Sequence, residues 1–173
     1  MKRAALFACL FALTSPAFAQ DADTAGPITN QVERDAIAQR VRGGASCTGC
    51  DLFQIDLSYQ NIAGRNFTGS RIRQADLTIA IADRTDFTGA NLSLTNMFGM
   101  RATGANFTGA NLNEAQLVGA YFGVSQFTGA RLRGANLSGA DLSNARGLTQ
   151  DQLNTACGDV TTALPQGLTV PIC

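Results

Sequence analysis

The stretch Ala135-Asn136-Leu137-Ser138-Gly139-Ala140-Asp141-Leu142-Ser143 returns to the same order of small, amide-or-acid, large apolar and hydroxyl residues after five positions. A period of five is neither the 3.6 of a helix nor the 2 of a strand, so a chain that keeps it must turn at a fixed interval. Counting by five from Leu52 to Leu142 gives nineteen positions, and all but Ala82 and Ala102 carry a large apolar residue. The residue two before each is small in 15 of the nineteen and the residue immediately before is Asp or Asn in 12, so three of five positions obey separate rules. A single five-residue structural unit, used over more than half of the chain, is the economical explanation.

The blocks Ala90-Asn91-Leu92-Ser93, Ala135-Asn136-Leu137-Ser138-Gly139 and Ala140-Asp141-Leu142-Ser143 match an A-(D/N)-L-x-x signature and resemble the pentapeptide-repeat family, here an exported bacterial member. The resemblance runs from Cys50 to about Asn144. It implies an all-β solenoid, a right-handed quadrilateral β-helix with four repeats per coil. The large residue and the small residue two before it would point inward, and the other three positions outward. Nearly five coils at a strand spacing of ~4.8 Å would make a rod about 23 Å long. A second period, of twenty, supports four repeats per coil. Phe67-Thr68-Gly69, Phe87-Thr88-Gly89, Phe107-Thr108-Gly109 and Phe127-Thr128-Gly129 recur at that spacing, predicting a core file of four phenylalanines with a glycine at each turn. The accompanying file of threonines is similar to an ice-binding array but is one residue wide.

Breaks in the pattern are more informative than matches, because a broken position needs compensation or a use. Met100 at a small position offsets Ala102 at a large one. Ile55, Gln60 and Arg65 stand at small inward positions near the start of the array, and a buried Arg65 has to reach an acid or backbone carbonyls. Among outward positions, Tyr59, Ile79, Ile81, Phe98, Val118 and Tyr121 are apolar or aromatic. Twenty-residue stacking aligns Ile81, Arg101 and Tyr121 in one file, Phe98 beneath Val118 in another, and Tyr59 below Ile79. Such a stripe is a candidate interaction surface.

The ends need caps, since an open coil exposes unpaired edges and an apolar bore. Asn30 to Arg42 reads as a helix with a capping box at Asn30 and Glu33, apolar Val32, Ile37 and Val41, and Gly43-Gly44 as its stop. Thr149-Gln150-Asp151-Gln152 opens a second helix to about Ala156, and Thr161 to Cys173 would fold over the last coil. Met1-Lys2-Arg3, the apolar run from Ala4 to Leu13 and Ala17-Phe18-Ala19 read as a signal peptide cleaved after Ala19, which places the protein in the periplasm or outside the cell. No later stretch reaches the roughly 20 apolar residues of a membrane span. The expected division is 1–19 signal peptide, 20–49 leader and capping helix, 50–146 repeats, and 147–173 C-terminal cap.

Cys47, Cys50, Cys157 and Cys173 remain after that cleavage, an even number in an oxidising compartment, where disulfides are the default. Three pairings are open. Cys47 with Cys50 and Cys157 with Cys173 is preferred, because the members of each pair lie at the same end of the array. Zinc held by four cysteines, or a redox or metal module at the Cys47/Cys50 pair, is the alternative.

The chain contains no histidine, no nucleophile elbow and no phosphate loop, so it reads as a non-enzyme without cofactor. Without Lys2 and Arg3, 11 basic residues face 13 acids, which suggests neither nucleic acid nor an anionic membrane. A DNA-mimicking topoisomerase inhibitor, an activity the resemblance brings with it, needs a strongly acidic rod in the cytoplasm. Residues 50–146 hold eight arginines and seven acids. The expectation is an extracytoplasmic protein-interaction or structural module, acting on an unknown protein partner or on a second copy of itself.

Overall fold

The computed structural model describes residues 31–173, which comprise a helix α1 (Gln31–Arg42), a stack of coils, and a one-turn helix α2 (Gln150–Leu153) with a tail that closes the far end. The expected signal peptide, the leader and the capping residue Asn30 lie outside the described residues. Among those described, no helix is long and apolar enough to cross a membrane.

α1 ends as its glycines predict. Gly44 sits at φ +112°, with Gly44 N–H donating to the Val41 carbonyl and Ala45 N–H to the Arg40 carbonyl, both at 3.0 Å. That pair of bonds is the Schellman arrangement. Ile37 and Val41 are buried, but Val32 is 78% exposed. It lies five residues before Ile37, about 140° around the helix, and so faces away from the coil.

A five-residue unit that begins with Asp or Asn can satisfy all of its own amides, as Asp76-Leu77-Thr78-Ile79-Ala80 illustrates. Asp76 N–H donates to Ile55 O of the coil before (2.9 Å), while Leu77 and Ile79 N–H donate to Asn96 O and Phe98 O of the coil after (2.7 and 2.8 Å). Ala80 N–H closes a turn onto Leu77 O (3.0 Å), and Thr78 N–H is taken by the Asp76 carboxylate (2.9 Å). All five amides are satisfied, which buried backbone requires. This explains the recurrent Asp or Asn: its side chain accepts from the one amide that neither the turn nor the adjacent coils can reach. Where Arg101 and Arg131 replace it, the acceptor comes from the coil below, Asp83 for Thr103 N–H and Asn113 for Arg133 N–H.

Parallel bridges join residues twenty apart, from Asp51↔Arg71 to Gln126↔Arg146, so four turned edges make one coil. Each bridge is a single residue, because the chain turns immediately after it. Of the all-β expectation the structure has the parallel pairing, as isolated bridges, and no extended strand forms among the described residues.

Inside the stack, Phe67, Phe87, Phe107 and Phe127 lie face to face, with centroids 5.6, 5.2 and 5.0 Å apart and planes within 18°. Phe122 meets Phe107 and Phe127 edge-on at 5.7 and 5.3 Å. Met100 and Ala102 are both fully buried, so the exchanged sizes share one core. Small inward positions that carry hydroxyls bond to backbone, as Thr85 does to Ile62 O (2.8 Å) and Thr95 to Leu92 O (2.6 Å).

The array begins one repeat earlier than the sequence pattern indicates. Ser46-Cys47-Thr48-Gly49-Cys50 has the same geometry, with Gly49 at φ +67°, Cys47 N–H on Asn66 O (2.8 Å) and the Ser46 hydroxyl accepting from Asn66 N–H (3.0 Å). Cys47 thus occupies the site of Phe67 one coil down, and Cys50 that of Ser70. Of the three departures near this end, Ile55 is buried, Gln60 is exposed, and Arg65 is half-buried with its guanidinium on Val41 O and Asn61 O, both at 2.6 Å. Gln60 and Arg65 escape the core because no full coil lies beneath them.

At the other end, Thr149 and Gln152 form the expected capping box, but α2 stops at Leu153 rather than near Ala156. Its continuation is cut short because Cys157 must pair with Asn136, and Ala163 with Asp141, extending two edges of the coil. The Gln152 amide seals the opening over the phenylalanine file by donating to Phe127 O and Ala130 O (2.9 and 2.7 Å).

The central ring of the file makes the sharpest test of this core. Phe107→Ala should destabilise the fold by about 3–5 kcal/mol, the usual cost of a large aromatic cavity, read as a lower denaturant midpoint.

Candidate interaction surface

The turn that closes each unit places the second residue after the core position in the left-handed region. All such positions from Gly49 to Gly139 have φ between +51° and +70°. Glycine suits this conformation, yet eight positions carry side chains: Gln54, Tyr59, Gln74, Ile79, Arg84, Leu94, Glu114 and Val124. A left-handed backbone costs roughly 1–2 kcal/mol for an L-residue, and β-branched side chains tolerate it least. Ile79 (φ +55°) and Val124 (φ +51°) are thus the most strained, and both are nearly half exposed.

Ile79 lies at the corner between two faces. Its Cγ1 leans over Gly99 in the next coil, where an added Cβ would meet it at 3.5 Å. Phe98, whose carbonyl accepts from Ile79 N–H, is 49% exposed beside it, with Tyr59 below at 71% and half-buried Val118 above. Tyr59, Ile79, Phe98 and Val118 therefore form one apolar corner.

The second file departs from the expected continuous stripe. Half-buried Ile81 bridges to Arg101 and Arg101 to Tyr121, as the twenty-residue stacking requires, but the two upper side chains turn onto the adjoining face. Arg101 closes on Asp83 (Nε to Oδ2 2.9 Å, the other nitrogen to Oδ2 2.7 Å). Tyr121 lies flat over Gly123, where any Cβ would meet its hydroxyl at 2.6 Å. Val124, 49% exposed, was missed in the sequence, although an apolar residue at a position otherwise favouring glycine was the available signal. Leu94 stands alone on another corner.

Asp83 also accepts from Thr103 N–H. Burial pushes its carboxyl up, but the bonds from Arg101 and Thr103 outweigh this and hold it below the ordinary carboxylate value. Asp56 is held low by the Ser58 hydroxyl and amide.

The cysteines lie apart from this surface. Cys47 is bonded to Cys50, both within the core, and Cys157 to Cys173 in the tail. Reactive thiols occupy partly exposed, electropositive places, and the first pair does not. Among the described residues, no three His, Cys, Asp or Glu side chains are grouped to hold a metal. On the phenylalanine face, the Thr88 and Thr108 hydroxyls donate to Asp86 and Asn106 (2.6 Å each), so these two serve their own turns.

Family models described as pentapeptide repeats of eight copies and of nine copies match residues 66–99 and 102–146, respectively. Among solved structures, the chain is similar to a pentapeptide repeat protein from the Arabidopsis thaliana thylakoid lumen, at 27% identity and a TM-score of 0.57, covering 72% of this chain and 86% of that one. It is also similar to Rfr23 from the cyanobacterium Cyanothece 51142 (21%, TM-score 0.37, 78% and 99% covered). QnrB1, a plasmid-mediated fluoroquinolone resistance protein, matches at 21% (TM-score 0.36, 73% and 83%). No curated protein is similar enough in sequence to count as a relative.

Two outcomes follow. Ile79→Gly should raise stability by about 1 kcal/mol by relieving the left-handed strain, measured as a higher denaturant midpoint. Because the folded pKa of Asp83 is lowered, its contribution is present above the ordinary carboxylate value and is lost as pH falls below about 4. Asp83→Asn should therefore reduce the loss of stability on acidification, followed by thermal melts across pH 2–6.

Proposed function

The chain belongs to the pentapeptide-repeat family, and from that premise we propose that it is a non-catalytic, extracytoplasmic module whose role is to present the surface of its coils to another protein, the simplest being a second copy of itself. We read the coil stack as the family's right-handed quadrilateral β-helix. Its twenty-residue parallel bridges and its likeness to the thylakoid-lumen protein support that reading.

One observation carries the functional reading: Ile79, β-branched, left-handed and 45% exposed, beside exposed Phe98 and Tyr59. In the isolated molecule Ile79 and Tyr59 cost conformational energy and all three side chains stand exposed, whereas in a contact they supply the aromatic and aliphatic anchors that dominate binding. The extracytoplasmic assignment is supported by the n-region, apolar run and Ala17-Phe18-Ala19 site of residues 1–19, and by the disulfide-bonded cysteines.

The test uses protein recovered from the extracytoplasmic fraction, with Gln20 expected as its first residue. Light scattering should give a dimer or larger species for the wild type and a monomer for Phe98→Asp/Tyr121→Asp. A wild type that is monomeric at every concentration would remove self-association. Full-length protein confined to the cytoplasm would remove the assignment to the export pathway.

A further inference from the structure

Among the described residues, two clefts that lie away from the apolar corner bear on binding. The first, of about 410 Å³ between α1 and the first coil, has its charges engaged. Arg71 pairs with Asp51 at 2.7 Å and stacks over Phe53 at 4.6 Å, Arg34 approaches Asp51 at 4.0 Å, and Arg42 bonds to Asp56 O. The second, of about 360 Å³, lies between the last full coil and α2 and is lined by Asn113, Arg131, Leu132, Arg133, Asp151 and Gln152 among others. Its charges are not engaged, since no described carboxylate lies within 4.0 Å of either guanidinium.

Arg131 and Arg133 flank the inward-pointing Leu132 on one edge, so their side chains leave the coil on the same side. Both are exposed, and both reach this cleft. Leu132, nearly fully buried, and Ala130 form its floor. The surroundings are rigid. Asn113 Oδ1 accepts from Arg133 N–H, and Gln152 is held at both ends, its Nε2 by Phe127 O and Ala130 O and its Oε1 by Thr149 N–H. Asp151 contributes one negative charge to the lining.

We propose that this cleft binds a small organic monocarboxylate. The paired guanidiniums hold the carboxylate, which they match in planarity and donor number. The apolar body of the molecule packs along the methylene stems of the two exposed arginines, above Leu132 and Ala130. Asp151 restricts the site to one negative charge, because a second would meet a like charge without a counterion.

Hexanoate titrated into the disulfide-bonded protein tests this, with the Nε–Hε signals of Arg131 and Arg133 followed by NMR. Saturable shifts of both signals are expected, with no effect from hexanamide. Arg131→Gln/Arg133→Gln should weaken binding at least about tenfold, the loss expected of charge-assisted hydrogen bonds. Asp151→Asn should strengthen it several-fold by removing the like charge. The folded state of each variant is checked by its unchanged melting profile, and Arg71→Gln on the same face should bind as the wild type does. Absence of saturation, equal shifts from hexanamide, or unchanged affinity in the double variant overturns the site. Equal binding of inorganic phosphate, which has no apolar body, overturns the ligand class.

Discussion

The structure depends on one constraint: a chain that turns every five residues has to satisfy five backbone amides with little regular secondary structure. Three of them reach adjacent coils, one closes the turn, and the last is taken by an Asp or Asn side chain. Every repeated feature follows from this division. The large apolar residue stands where the chain faces the bore, and the small one where the turn brings the backbone closest to it. The left-handed residue stands where the turn reverses direction. Because coils pair at a fixed offset of twenty, each choice made at one rung is stacked on the next, which is why four phenylalanines twenty apart become one column of rings.

Some exceptions in this scaffold are met by a neighbour that supplies what is missing. Arg101 and Arg131 take the place of Asp or Asn, and a side chain one coil below accepts the orphaned amide in each case. Arg65, at an inward position, finds the Val41 carbonyl at the end of α1 and the Asn61 carbonyl in its own coil, and so joins the cap to the first coils. The two disulfides continue the same logic. Cys47 and Cys50 occupy inward sites of the first repeat and finish the core from below, while Cys157 and Cys173 hold the tail across the last edge. The left-handed Ile79 and Val124 are different, since both hold a strained backbone while nearly half exposed. That asymmetry separates residues used for folding from residues available for contact.

The five-residue period, the inward pair of positions, the twenty-residue phenylalanine file and the capping box at Thr149 were legible in the sequence, because each is a local or strictly periodic consequence of backbone bonding. The sequence also marked Tyr59, Ile79, Phe98, Val118 and Tyr121 as anomalies, since outward apolar residues break a pattern that is otherwise polar. What it could not decide was where long side chains lie once several neighbours compete for them. Arg101 turns toward Asp83 and Tyr121 over Gly123 because those partners, adjacent on the coil surface, are eighteen residues back and two residues on. The first repeat escaped notice because Cys47 and Cys50 are not the usual core residues, although Thr48-Gly49 carries the turn. The length of α2 was set by the demand that Cys157 pair with Asn136, a long-range bond that no local propensity reports. Periodicity thus determined the coil, and only the tertiary structure decided which of its exceptions are satisfied internally and which are left facing outward.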